Sequence, residues 1–154
     1  MTKGPWQIRA AGDGDVARLR DWAVAMAWET EHKALDADTV EAGIRAVLAE
    51  SRRGAYFVAE HEGEPAGTLM LTYEWSDWRN GDWWWIQSVY VDPAFRRRGC
   101  YAALYKHVLE RAKATPDVCG LRLYVERENS IAQKTYEGLG MVDAGYRMYE
   151  APTR

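Results

Sequence analysis

The segment from Trp83 to Ala112, WWWIQSVYVDPAFRRRGCYAALYKHVLERA, constrains this chain more than any other. It runs from an apolar strand-forming stretch through Asp92-Pro93 to three arginines and a glycine, and then into a long amphipathic helix. A strand that feeds a glycine-containing turn and opens a helix gathers unpaired backbone N–H groups and the positive end of the helix dipole at one spot. Such a spot binds anions, typically phosphate. Arg96, Arg97 and Arg98 add fixed positive charge ahead of Gly99, where the missing Cβ lets a ligand approach the main chain. Basic side chains at a helix N-terminus oppose its dipole, so a bound anion accounts for them better than helix design does.

With 154 residues, 47% of them hydrophobic, the chain has the length of a single domain (1–154) with a substantial core. The net charge of −3 makes the arginine run a local feature, which argues against nucleic acid as a partner. Cys100 and Cys119 lack a CxxC spacing, and His32, His61 and His107 are scattered, so no metal is expected. Reduced thiols in a cytoplasmic setting are expected. No leader-like apolar run and no uncharged stretch near the ~20 residues of a membrane span occurs, so no membrane partner is expected.

In chain order, a short strand at Trp6–Ala10 precedes Gly12-Asp13-Gly14-Asp15 and a helix with the stripe Val16, Leu19, Trp22, Ala23 and Met26. A second helix, capped at Asp36 or Asp38, carries Val40, Ile44, Val47 and Leu48 on one face and ends at Gly54. Strands follow at Tyr56–Glu60 and Gly67–Trp75, and Asn80-Gly81 predicts a hairpin into Trp83–Val91, since both residues tolerate φ > 0. A helix over Arg98–Ala114 and a strand through Leu121, Leu123 and Val125 make a crossover, which sets the flanking strands parallel. Asn129 or Ser130 caps a last helix through Leu139, and Met141–Glu150 supplies one or two final strands. The fold class is α/β. A mixed sheet of six to seven strands is expected, antiparallel in its N-terminal part with a central parallel pair, flanked by about four helices.

Val89-Tyr90-Val91-Asp92-Pro93 followed by Arg96-x-x-Gly99 resembles the acyl-CoA-binding motif of the GNAT N-acetyltransferase superfamily. Leu123-Tyr124-Val125-Glu126, with Asn129-Ser130-Ile131-Ala132 and Tyr136-x-x-Leu139-Gly140-Met141, resembles its second motif, and the two cover roughly residues 67–146. One departure stands at Tyr101, where the family pattern has glycine or alanine. The resemblance implies acetyl-CoA as cosubstrate, held by Val89, Tyr90, Val91, Arg96, Arg97, Arg98, Gly99, Cys100, Tyr101, Ala102, Asn129, Ala132 and Tyr136. It implies direct acetyl transfer to a primary amine of a small molecule, with Tyr136 as the acid for the departing thiolate. A protein or peptide N-terminal acetyltransferase and a non-catalytic CoA-binding regulatory module are the alternatives.

A primary amine with a pKa near about 10.4 is only about one part in a thousand neutral at pH 7, so a base, or a water chain leading to one, helps. Glu74, Asp77, Asp82 and Glu126 are the candidate carboxylates, with Glu74 taken as the catalytic choice; Gln87, on the strand before the turn, cannot serve. A backbone N–H near Val89–Val91 is placed to steady the developing oxyanion. Cys100 at a helix N-terminus raises nucleophilic catalysis, but His107, seven residues on, lies about 10.5 Å along the helix, too far to be its base. Five of the eight tryptophans (Trp75, Trp78, Trp83, Trp84 and Trp85) crowd one hairpin. They read either as an aromatic acceptor pocket for a cationic amine or as core packing with a homodimer contact.

Overall fold

The computed structural model describes residues 5–154. Two compact units divide the chain, one ending at Leu123 and the other comprising Tyr124–Arg154. The first holds a single sheet in the order β1 (Gln7–Ala10), β2 (Ala55–His61), β3 (Glu64–Ser76), β4 (Gly81–Val91), β5 (Val118–Arg122). Neighbours from β1 to β4 are antiparallel and β4–β5 is parallel, the mixed α/β arrangement expected from the crossover. Helices α1 (Val16–Glu31) and α2 (Ala37–Ala49) lie between β1 and β2 in sequence, and α3 (Cys100–Ala114) links β4 to β5.

Local chemistry fixes the helix starts. The Asp36 carboxylate accepts from the Thr39 N–H at 3.1 Å and caps α2. Ahead of α1, the Asp15 carboxylate accepts from Arg9 Nη1 and Nη2, each at 2.8 Å, while Arg9 Nε donates to Glu60 at 2.9 Å, so β1, β2 and the helix start share one ionic knot. Successive residues of a strand point to opposite faces. Val58 accordingly packs with Val16, Leu19, Trp22, Ile44 and Tyr90, whereas Phe57 meets His107 of α3 with ring centroids 5.3 Å apart. The sheet is thus covered on both sides, and Leu69, Leu71, Leu104 and Val108 are fully buried.

The β3–β4 hairpin forms as expected, with Asp77–Asn80 as its connection, and two other expectations need correction. Only Asn80 takes a positive φ there (49°), and Gly81 is required for another reason: a Cβ on it would stand 2.9 Å from the Asp117 carbonyl. The strand after α3 comes earlier than the alternation of Leu121, Leu123 and Val125 suggested, because Asp82 N–H donates to Asp117 O at 2.7 Å and starts the parallel pairing there. Finally, among the described residues the sheet has five strands, not six to seven.

In the second unit α4 (Ser130–Gly138) is capped by Asn129, whose Oδ1 accepts from Ala132 N–H at 3.1 Å. Residues 141–154 form no strand. Asp143 Oδ1 accepts from the Gly145 N–H at 2.8 Å and Gly145 sits at φ 77°, so a left-handed turn interrupts the stretch expected to supply the final strands.

Candidate active site

The site is built on the far half of β4. Pairing with β5 runs from Asp82↔Val118 to Trp85↔Arg122 and stops, so the edge of β4 from Gln87 to Val91 is not bonded to β5. On its other side β4 changes register between Met70↔Ser88 and Leu71↔Ile86, leaving Gln87 as a bulged extra residue. A bulge bends the strand and strengthens its local twist. An open strand edge offers N–H and C=O groups to whatever lies alongside.

Asp92-Pro93 ends the strand with every polar atom of the aspartate used. Its N–H donates to Ala66 O at 2.8 Å, its Oδ1 accepts from Ala94 N–H at 3.0 Å, and its Oδ2 accepts from the Trp22 indole at 3.3 Å. After the 3-10 turn Pro93–Phe95, Arg96 folds back onto the strand. Its Nε donates to Val91 O at 2.9 Å, its Nη2 donates to Glu29 at 2.8 Å, and its guanidinium carbon lies 5.4 Å from the centroid of the Tyr90 ring. Glu29 also accepts from Tyr90 OH at 3.0 Å. Arg96 beside it, and then the Tyr90 hydroxyl, hold the Glu29 carboxyl below the usual range, while burial first and Glu29 second push the Tyr90 phenol up.

The next residues form the turn proper. Arg97 and Gly99 are both left-handed, at φ 64° and 82°. Between them the Arg98 carbonyl accepts from the Trp6 indole at 3.0 Å, and the Arg98 guanidinium lies 5.8 Å from the Phe95 ring centroid. Trp6 is itself seated against His61 and Phe95, at 5.4 and 6.4 Å between centroids. The first ladder bond of α3 runs from Ala103 N–H to Gly99 O at 3.0 Å, so the amides of Cys100 and Ala102 lie ahead of it at the positive pole of the helix. Gly67 makes this approach feasible, since a Cβ there would be 2.9 Å from Tyr90 O and 3.0 Å from Cys100 Sγ.

This geometry suits an anionic diphosphate: donors converge, the backbone at Gly99 is uncovered, and an added Cβ would find only Trp6 Nε1 at 3.9 Å. The structure brings Val89, Tyr90, Val91 and Arg96–Ala102 together around one turn. Of the arginines, Arg96 spends its guanidinium on protein groups. Asn129, Ala132 and Tyr136 lie in the second unit, on or at the start of α4. Glu126 lies there too, its carboxylate accepting from the Glu128 N–H at 2.9 Å.

Other candidates sit apart from the turn. Glu74 is paired in register with Trp83, four residues before Gln87, or about 13 Å along the strand. Its carboxylate accepts from Arg122 Nη1 at 2.7 Å. Asp77 accepts from the Trp78 N–H at 2.9 Å in the hairpin loop, and Asp82 is the β3–β4 register partner of Trp75. Cys100 is buried, and burial pushes its thiol up to about 11, so desolvation outweighs the helix dipole and the nucleophile reading fails.

A family model describing the GNAT acetyltransferases matches residues 15–141. The chain belongs to that family. Among solved GNAT-like structures, a possible acetyltransferase from Clostridium difficile 630 shares 40% identity and a TM-score of 0.92, covering 97% of this chain and 98% of that one. An aminoglycoside N-acetyltransferase in complex with CoA, 18% identical with a TM-score of 0.77 over 97% of this chain and 95% of that one, shares the fold. The mycothiol acetyltransferase of Mycobacterium sp. (strain JLS) is 34% identical over 88% of this chain. This chain spans about half of that relative, 46% of its length.

Four contributors to this GNAT site escaped the reading of sequence: Trp6, Glu29, Trp22 and Gly67. Each acts through a contact between residues distant in the chain, such as Trp6 to Arg98 or Glu29 to Arg96, and no local spacing encodes it.

Proposed function

We propose that this chain, as one domain, transfers the acetyl group of acetyl-CoA directly to a primary amine of a small molecule. The observation that carries the reading is that β4–β5 pairing ends at Trp85↔Arg122, which leaves the last part of β4 unpaired with β5 ahead of the turn that opens α3. Family membership supports acetyl-CoA as the cosubstrate, whose thioester supplies the activated acetyl group. The two unbonded thiols, Cys100 and Cys119, agree with a cytoplasmic setting.

The amides from Gly99 to Ala102 and the α3 dipole hold the diphosphate, with Arg97 and Arg98 supplying positive charge around it. Arg96 keeps the turn anchored to Val91 and Glu29. An N–H of the open β4 edge near Val89 donates to the carbonyl oxygen as negative charge gathers on it, an interaction stronger in the transition state than before it. Tyr136 returns a proton to the departing sulfur, a role that rests on its place in the second motif. Asn129 caps α4 and bonds the pantetheine arm with its remaining capacity. Gln87 at the bulge has no useful basicity and Glu74 is engaged with Arg122, so the amine proton leaves by water.

CoA release should be measured with acetyl-CoA against small amines, amino acids, aminoglycosides and peptides. Release confined to small amines is expected. Release with peptides alone would overturn the small-molecule reading in favour of N-terminal acetylation, and tight acetyl-CoA binding with no release on any acceptor would leave a binding module. Tyr136→Phe should lower kcat about a hundredfold with acetyl-CoA affinity unchanged; an unaltered kcat removes Tyr136 from the mechanism.

A further inference from the structure

Between α1, α2 and the sheet lies a cavity of about 230 Å³, with Trp22, Met26, Ile44, Tyr56 and Met70 among its walls and Ser88 and Tyr90 of β4 on its floor. None of its lining residues is acidic or basic. Two of its hydroxyls are already committed, Thr68 donating to Phe57 O at 2.8 Å and Tyr90 to Glu29 at 3.0 Å. Ser88 and Tyr90 belong to the part of β4 that has left β5, so the cavity backs onto the same strand edge that faces the thioester in the proposed reaction.

Gly43 is the second observation. It lines the cavity within α2, and a Cβ built there meets nothing within 4 Å. Its φ is not in the left-handed region, so neither crowding nor backbone strain calls for glycine. Glycine inside a helix is less favourable than alanine. Because Gly43 lines the cavity, a bulky side chain at this position would take up part of its volume.

Resting on the acetyl-transfer reading, we propose that this cavity receives the uncharged apolar arm of the acceptor, making the substrate class primary amines that carry an aryl or branched-alkyl group. An apolar cavity of about 150 Å³ already accommodates benzene. The volume here takes a phenyl ring with a short linker, leaving the amine at β4. A polycation of the aminoglycoside type would have to bury charge against uncharged walls, since the carboxylates behind them, Glu29 and Asp92, are already engaged by Arg96, Tyr90, Trp22 and Ala94, which is unfavourable.

The test compares 2-phenylethylamine, 3-methylbutylamine, ethylamine and kanamycin as acceptors, and follows the melting temperature with each amine alone. The expected result is a kcat/KM at least tenfold higher for the two apolar amines than for ethylamine, and a melting temperature raised by 2-phenylethylamine but not by ethylamine. Gly43→Phe should cut the ratio of kcat/KM for 2-phenylethylamine over ethylamine at least tenfold, through KM, and abolish that thermal shift. Gly43→Ala, which should fold at least as stably, checks that the helix tolerates substitution, and acetyl-CoA affinity reports on the fold of both variants. Equal kcat/KM for all amines, or preference for kanamycin, overturns the cavity assignment while acetyl transfer stands. A thermal shift by 2-phenylethylamine that Gly43→Phe abolishes, without CoA release on any amine, supports the cavity and overturns the transfer reading.

Discussion

The two halves of β4 teach opposite lessons from similar sequence. In the first half, Trp83 is held between two guanidinium groups, Arg122 at 3.9 Å and Arg79 at 4.9 Å from its centroid, and its ring lies so close to Gly120 that a Cβ there would meet it at 2.5 Å. This half is bonded to strands on both sides. In the second half, the strand loses β5, bulges at Gln87 and ends in a turn with two left-handed residues. One half builds a scaffold and the other exposes a reactive edge, although the first has the more unusual composition. Within the aromatic cluster Trp83 packs against Arg122 and Arg79 while Trp75 and Trp78 are exposed, and the cavity described above lies on the α1–α2 side of the sheet.

The sharpest test of this division is Gly99→Val. A β-branched side chain at φ 82° is strained by about 1–3 kcal/mol, so acetyl-CoA affinity should fall roughly tenfold to a hundredfold by calorimetry, without loss of the hairpin. Trp83→Ala attacks the other half. Because the ring is half-buried, the expected cost is about 2 kcal/mol of stability in urea, below the 3–5 typical of a full core aromatic, with acetyl-CoA affinity kept. If Trp83→Ala instead weakened the ligand and left stability intact, the division of roles would be reversed. Arg96→Ala removes the tie between Val91 and Glu29. The pair is partly exposed, so about 1 kcal/mol, or fivefold in acetyl-CoA Kd, is expected, and Arg96→Lys should recover little because it cannot reach both partners in the same fork.

The smallest effect is acidic. Glu29 has a folded-state pKa below its unfolded value of about 4.3, so its contribution is complete above that value and is lost as pH falls through the folded one. Acetyl-CoA binding should weaken slightly more below about pH 4 in the native chain than in Glu29→Gln, whose profile should be flatter.

Much of this was legible in the sequence because it is local. The strand, Asp92-Pro93 and the glycine ahead of α3 follow from short-range pattern, as do the caps at Asp36 and Asn129. Parallel pairing of β4 and β5 followed from the length of the crossover. What was hidden needed the third dimension. Met141–Glu150 read as one or two final strands, and the hydrogen bond from Gly145 N–H to Asp143 reveals a turn within it. Glu74 carried suitable chemistry, but register puts it opposite Trp83, away from the open edge. The arginine run read as uniform, yet Arg96 turns inward to Glu29 while Arg98 lies over Phe95.

The hydrogen bond from the Trp6 indole to the Arg98 carbonyl joins positions separated by 92 residues. A graft of Arg96–Ala102 onto another strand–helix junction would carry the arginines and the glycine but lose the partner that orients the peptide between them. Such a transplant should bind the nucleotide end of its ligand poorly until a tryptophan is supplied from a distant segment such as the one leading into β1, so affinity for the thioester carrier is a property of the whole sheet rather than of a portable loop.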